Sequence, residues 1–132
     1  MPQLQTLVLK DRTTPTAVDH TFTPRDIKSG VGAVVETTGV PVGDSRFTIS
    51  LRQVNNRYRA QIQLAVPVVQ NEVINGITTP KAVRTAYADV TFTFDSTSTE
   101  AERNNLVGML ADALAANKVL VNDTVVKLQG VY

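Results

Sequence analysis

Between Ser45 and Asn71 the chain carries four arginines, Arg46, Arg52, Arg57 and Arg59, and no acid. The whole chain sums to +1, so everything outside this window sums to −3. A guanidinium fork matches phosphate oxygens and stays charged at any physiological pH. Around the arginines stand Thr48, Ser50, Gln61 and Gln63, whose hydroxyls and amides can read base edges. Tyr87 and Asp89 continue the set, and a tyrosine on a sheet surface can stack an unpaired base for ~1–3 kcal/mol. The chemistry on offer is recognition of a polyanion with unpaired bases, single-stranded RNA above all. Ser, Thr and Gln also suit any solvated strand, so the pattern by itself leaves an ordinary wet face open.

Catalytic chemistry is poorly supplied. His20 is the only histidine; Asp19 beside it points the other way on a strand, and no serine completes a triad. Glu100 and Glu102 suit a helix start better than a pair of catalytic acids. Gly30-Val31-Gly32 lacks the context of a phosphate loop. There is no cysteine and no metal-ligand spacing. No catalytic residue, cofactor or metal is expected.

Side-chain parity assigns the elements that must position the arginines. Phe47–Val54 and Tyr58–Val66 read as paired strands around the turn Asn55-Asn56, the second ended by Pro67. Val83–Phe94 reads as the longest strand. Phe47, Ile49 and Leu51, then Tyr58, Ala60, Ile62, Leu64 and Val66, then Ala86, Ala88, Val90, Phe92 and Phe94, form one apolar floor. The opposite face carries Thr48, Ser50, Arg52, Arg59, Gln61, Gln63, Tyr87, Asp89, Thr91 and Thr93. Upstream, Leu4–Lys10 and Val18–Thr23 predict a hairpin around Asp11–Pro15, Pro24–Gly30 a connection, and Val31–Thr37 a strand broken by Gly39–Gly43. Gln70–Pro80 predicts a long loop around Asn75-Gly76 with Val73, Ile74 and Ile77 exposed, either a contact element or a floppy hairpin end.

The period then changes. Thr99 and Glu102 have capping-box spacing, and Leu106, Leu110, Ala113 and Leu114 share one helix face as far as about Asn117. Asn122 or Asp123 can cap a second short helix ending near Gln129-Gly130. Strands followed by helices give an α+β class with an antiparallel sheet, in one domain over residues 1–132 (hairpin 1–23, sheet 31–94, helices 99–129). Two helices cannot cover both faces of a broad sheet. The near-neutral total argues against a general nucleic-acid binder, so any polyanion site is local. No run approaches the ~18 apolar residues of a membrane span. The N-terminus lacks the pattern of a signal peptide, so a cytosolic product without membrane partners is expected.

Taken in order, Leu7–Asp11, Phe47–Gln53, Val83–Phe92, Thr99–Arg103 and Leu128–Tyr132 resemble the coat proteins of the small single-stranded RNA bacteriophages, the leviviruses, over essentially the whole chain. The resemblance implies an N-terminal β-hairpin, a five-stranded antiparallel sheet and two C-terminal helices. It also implies an interlocked homodimer with a continuous ten-stranded sheet. Such dimers build an icosahedral shell around the RNA, assembled in the bacterial host cytoplasm and found in the virion. The wet face would bind an operator hairpin, repressing replicase translation and marking the genome for packaging. By the same resemblance, Tyr87 stacks a loop base, Thr48 and Ser50 belong to an adenine pocket lined by Val31, and Arg46, Arg52 and Arg59 meet phosphates. Asp89 sits beside the tyrosine, and Gln61 and Gln63 lie on the pocket strand. Gln63 stands where the family usually has lysine. Asn71, Val73, Ile74, Asn75, Gly76, Ile77 and Pro80 belong to the loop that meets its copies around the symmetry axes. The alternatives are a dimeric RNA-binding regulator that never assembles and a small enzyme on an α+β sheet.

Overall fold

The computed structural model describes residues 3–13, 15–37 and 41–132. The chain divides into two compact units, Met1–Thr93 and Phe94–Tyr132. The first is built on a six-stranded sheet in simple chain order: β1 (Leu7–Lys10), β2 (Asp19–Lys28), β3 (Val31–Glu36), β4 (Ser45–Val54), β5 (Arg57–Ile74) and β6 (Ile77–Asp95). The pairs from β1 to β5 are antiparallel. A hairpin beside a separate five-stranded sheet was expected; instead one sheet has six strands, because β2 serves both parts. Its first half pairs with β1 (Leu7↔Phe22) and its second half with β3 (Lys28↔Val31). The expected connection Pro24–Gly30 is therefore strand as far as Lys28. A register jump between Pro24 and Asp26 leaves Arg25 as the extra residue of a bulge, which lets the strand bend without ending. Only Ser29 and Gly30, at φ 51° and 78°, make the turn.

The expected Gln70–Pro80 loop is also mostly strand. β5 and β6 extend to a two-residue turn at Asn75-Gly76, both at positive φ, the conformation that suits this pair in a hairpin. β-branched residues on both sides, Val68, Val69, Val73, Ile74, Ile77, Thr78 and Thr79, favour the pleated backbone over a coil. Pro67 does not end β5, because it lies beyond the last residue pair with β4, Arg46↔Ala65. On that side its missing N–H costs no ladder bond. Of the expected break at Gly39–Gly43, residues 41–43 form a 3-10 turn, while Gly39 and Val40 fall outside the described residues.

Among the described residues the buried apolar side chains are Phe22, Ala33, Val34 and Val35. The dry floor is in register as parity requires, Phe47↔Leu64, Ile49↔Ile62 and Leu51↔Ala60, yet Ile49 and Leu51 remain 47% and 64% exposed. In the second unit α1 (Glu100–Ala113) starts where expected, with Thr99 Oγ1 accepting from the Glu102 N–H at 3.3 Å. Arg103 ties the helix to the preceding turn by donating to the Ser98 carbonyl at 2.7 Å. α2 (Val119–Val125) begins earlier than expected. Lys118 is its N-cap, Asn122 and Asp123 lie inside it, and no side chain caps it. Neither helix contains a buried residue. Helices this short draw their stability from packing, so they require an apolar surface to complete them.

A cluster that sequence spacing did not bring together fastens the first hairpin to β3. His20 Nδ1 lies 2.7 Å from Glu36 Oε2, and His20 Nε2 lies 2.7 Å from Asp11 Oδ2. Asp11 Oδ1 accepts from the Val18 and Thr13 N–H groups at 2.8 and 3.0 Å. The Val18 N–H and the His20 ring hold the Asp11 carboxyl well below the usual carboxylate range. The hydrogen bonds to Asp11, then to Glu36, push His20 above its ordinary 6.5. Only a protonated ring donates from both nitrogens to two carboxylates. A raised pKa contributes stability that is complete below pH 6.5 and lost as the pH climbs through the raised value. An NMR titration of the RNA-free protein should place the His20 midpoint above 6.5, and Glu36→Gln should lower it. The melting temperature should fall with rising pH across that midpoint in the wild type and stay flat there in His20→Gln.

Candidate nucleic-acid interface

The register between β3, β4 and β5 arranges the wet-face residues in rows. Val31, Ser50 and Gln61 are directly opposite one another, as are Ala33, Thr48 and Gln63, and Val35, Arg46 and Ala65. Arg52 faces Arg59. Directly paired residues point to the same side of a sheet, so the side chains selected on these strands share one face. A shallow depression of about 440 Å³ brings Arg46, Thr48, Gln63, Tyr87 and Asp89 together. Tyr87 is 80% exposed, its ring available for stacking. Val31, Ser50, Arg52 and Arg59 are not part of that depression; they continue the face along the strands. Arg59 borders a separate cleft of about 370 Å³ with Val54, Asn55, Arg57 and Thr93.

Asp89 organises the centre. Its carboxylate accepts from Gln61 Nε2 at 3.3 Å to each oxygen and from Gln63 Nε2 at 3.2 Å. Thr48 Oγ1 completes the line by donating to Gln63 Oε1 at 3.5 Å. Gln63 is thus oriented, amide towards Asp89 and carbonyl towards Thr48. A lysine at this place would set a positive charge against Asp89. Two glutamine amides satisfy the lone pairs of the carboxylate and leave its charge in place. The centre is therefore a neutral-donor and carboxylate network, with cationic groups around it.

The arginines of this face are arranged differently from four of the five lysines. Lys10, Lys81, Lys118 and Lys127 each have a carboxylate within 4 Å, at 3.8, 3.8, 3.1 and 3.1 Å. Among the described residues, Arg46, Arg52, Arg57 and Arg59 have no such partner. Facing like charges across a strand pair is unfavourable in the empty protein. The pair Arg52 and Arg59 sets two guanidiniums side by side, a geometry able to hold an anion between them. Arg57 shares the parity of Arg59 and was legible as a wet-face residue. Its omission came from treating the strand as beginning at Tyr58, when β5 begins at Arg57.

Replacing one member of the facing pair should show the repulsion directly. Arg59→Gln in RNA-free protein should raise the urea midpoint at low salt, on the ~0.2–1 kcal/mol scale of cross-strand pairs. The gain should disappear at high salt, where screening removes the repulsion. An equal gain at both salt concentrations would mean that charge is not its origin.

Comparison with known proteins places this geometry in a family. The model of the levivirus coat protein family matches residues 2–132. The capsid protein of Pseudomonas phage PRR1 is 62% identical over 131 residues, covering 98% of this chain and 99% of that protein. In solved structures, the virus-like particle of Beihai levi-like virus 21 aligns with a TM-score of 0.77 at 30% identity, covering 99% of both chains. The virus-like particle of bacteriophage NT-214 gives 0.85 at 21% identity, covering 99% of this chain and 100% of that one, and so speaks for the fold. With a sheet followed by two helices and a match over nearly its full length, the chain belongs to the levivirus coat protein family.

Proposed function

We propose that this capsid protein forms dimers that assemble into an icosahedral shell around a single-stranded RNA genome, and that its wet face binds an RNA operator hairpin. The observation that carries the RNA reading is the face itself: unpartnered guanidiniums set around an exposed tyrosine and a hydrogen-bonded amide–carboxylate centre. Phosphates would meet Arg46, Arg52 and Arg59. A loop base would stack on Tyr87, and Thr48, Ser50 and Val31 would enclose a second base. Bound there, an operator hairpin would be closed to ribosomes, repressing replicase translation and marking the RNA for packaging. Shell assembly in the bacterial host cytoplasm and residence in the virion follow from that role.

Three uncovered surfaces support self-association. β6 is an outer strand of the sheet and 19 residues long, an edge that invites pairing with another strand. The dry floor is exposed at Ile49 and Leu51, and the helices expose Met109, Val119 and Leu120 at 66%, 68% and 69%. A second copy can satisfy all three at once: edge on edge to make one continuous sheet, and helices over the partner's floor. Both units then belong to one coat-protein domain. The β5–β6 tip, with Val73, Ile74 and Ile77 exposed at 67%, 54% and 68%, would be the contact between dimers, together with Asn71 and Pro80.

Light scattering on a sizing column, with absorbance at two wavelengths, tests the proposal on protein expressed alone in bacteria. A megadalton, RNA-rich peak is expected. A small RNA-free dimer would instead favour a regulator that does not assemble. Tyr87→Ala should weaken binding of RNA hairpins roughly tenfold to a hundredfold, as loss of one stacked base does, while leaving dimers intact. Unchanged affinity would remove Tyr87 from the site. Deleting residues 71–79 and closing the strands with a short turn should stop or alter assembly without unfolding the dimer; normal shells from the deletion would exclude a contact role for the tip.

A further inference from the structure

We propose that Arg25, together with Arg46, forms a second phosphate seat for the RNA strand at the β2 side of the face. This inference rests on the RNA-binding reading above and extends it to a residue outside the acid-free window. Arg25 is the residue left over in the β2 bulge: Pro24 pairs with Val34 and Asp26 with Ala33, so Arg25 has no opposite number on β3. A bulge re-aims the side chain it carries. Here Arg25 borders a depression of about 270 Å³ with Val35, Val42, Asp44, Arg46, Ala65, Pro67 and Thr85.

Three features make this depression fit one nucleotide. First, Arg46 borders both this depression and the central one beside Tyr87, so a strand leaving the tyrosine passes directly into it. Second, Arg25 and Arg46 supply two guanidinium forks, and among the described residues neither has a hydrogen bond or an ion pair. Third, Val35, Ala65 and Pro67 offer an apolar surface for a sugar or base, with the Thr85 hydroxyl as a hydrogen-bonding group. The seat reads backbone and not sequence, because nothing in it matches a particular base edge. Its role is to hold the single strand that flanks a hairpin bound at Tyr87.

The test uses RNA-free dimers and a pool of RNA hairpins randomised in the loop, made either with a blunt stem or with short single-stranded flanks. Affinity is followed by fluorescence anisotropy across a salt series. Arg25→Gln should lower affinity for the flanked pool several-fold and reduce its salt slope by about 0.7, one single-strand phosphate. It should leave the blunt pool unchanged, and Arg25→Lys should restore the slope. Tyr87→Ala should weaken both pools. If the wild type binds neither pool, the RNA reading and the seat fall together. If Tyr87→Ala weakens both pools while Arg25→Gln keeps the wild-type slope on flanked RNA, the seat alone is overturned. Equal losses on blunt and flanked RNA also overturn it, because Arg25 would then act on the hairpin site or on the fold.

Discussion

The two-residue side-chain period, held in register from β3 through β5, is the constraint on which the rest depends. Ile49 opposite Ile62 and Phe47 opposite Leu64 commit one face to apolar packing. The same register then commits the other face to Thr48 opposite Gln63 and Arg52 opposite Arg59. A slip of one residue would exchange the two sets and place guanidiniums in the dry layer, at a desolvation cost no single contact could offset. Apolar burial therefore specifies the position of the polar face. The chemistry of the polar face depends on the register that the dry residues enforce.

The single chain satisfies this constraint only in part. Its buried apolar side chains sit on β2 and β3, while the floor of β4 and both helices remain open. Among the described residues, such a chain leaves much of its apolar surface to solvent. The long edge of β6 and the uncovered floor are both surfaces that a second chain could cover. The charges follow a similar division. Lys10, Lys81, Lys118 and Lys127 are paired with acids within the chain, whereas, among the described residues, the arginines of the wet face have no ion-pair partner. Asp89 sets an acid on this basic face, where two glutamine donors occupy its carboxylate and hold it at the centre, with the cations around it.

The His20 cluster shows a different principle. Asp11, His20 and Glu36 lie on separate stretches of chain, and no spacing rule joins them. They meet because β2 pairs with β1 on one half and β3 on the other, bringing the first turn over the end of β3. A histidine with a carboxylate on each ring nitrogen works as an electrostatic fastening that depends on its proton. Spacing and parity could not expose it, because side chains on three different elements contribute.

The sequence by itself determined the class, the alternation and most of the wet face. Residues such as Thr48, Ser50, Gln61 and Tyr87 were legible because strand parity is a local property that needs no knowledge of neighbours. The turns at Asn55-Asn56 and Asn75-Gly76 were legible for the same reason, since positive φ selects these residues wherever they stand. Extent and company, by contrast, come from pairing between strands. β2 runs through its bulge, and β5 and β6 run on past Pro67 and through Pro80, because ladder pairing with a neighbour overrides local breakers. α2 begins at Val119 with Lys118 as its N-cap, although Asn122 and Asp123 are better caps by type. Asp89 between two glutamines, Arg25 beside Arg46, and His20 between two acids are all meetings of distant segments. Contacts of this kind depend on register and strand order together, and a single chain written in one dimension does not carry them.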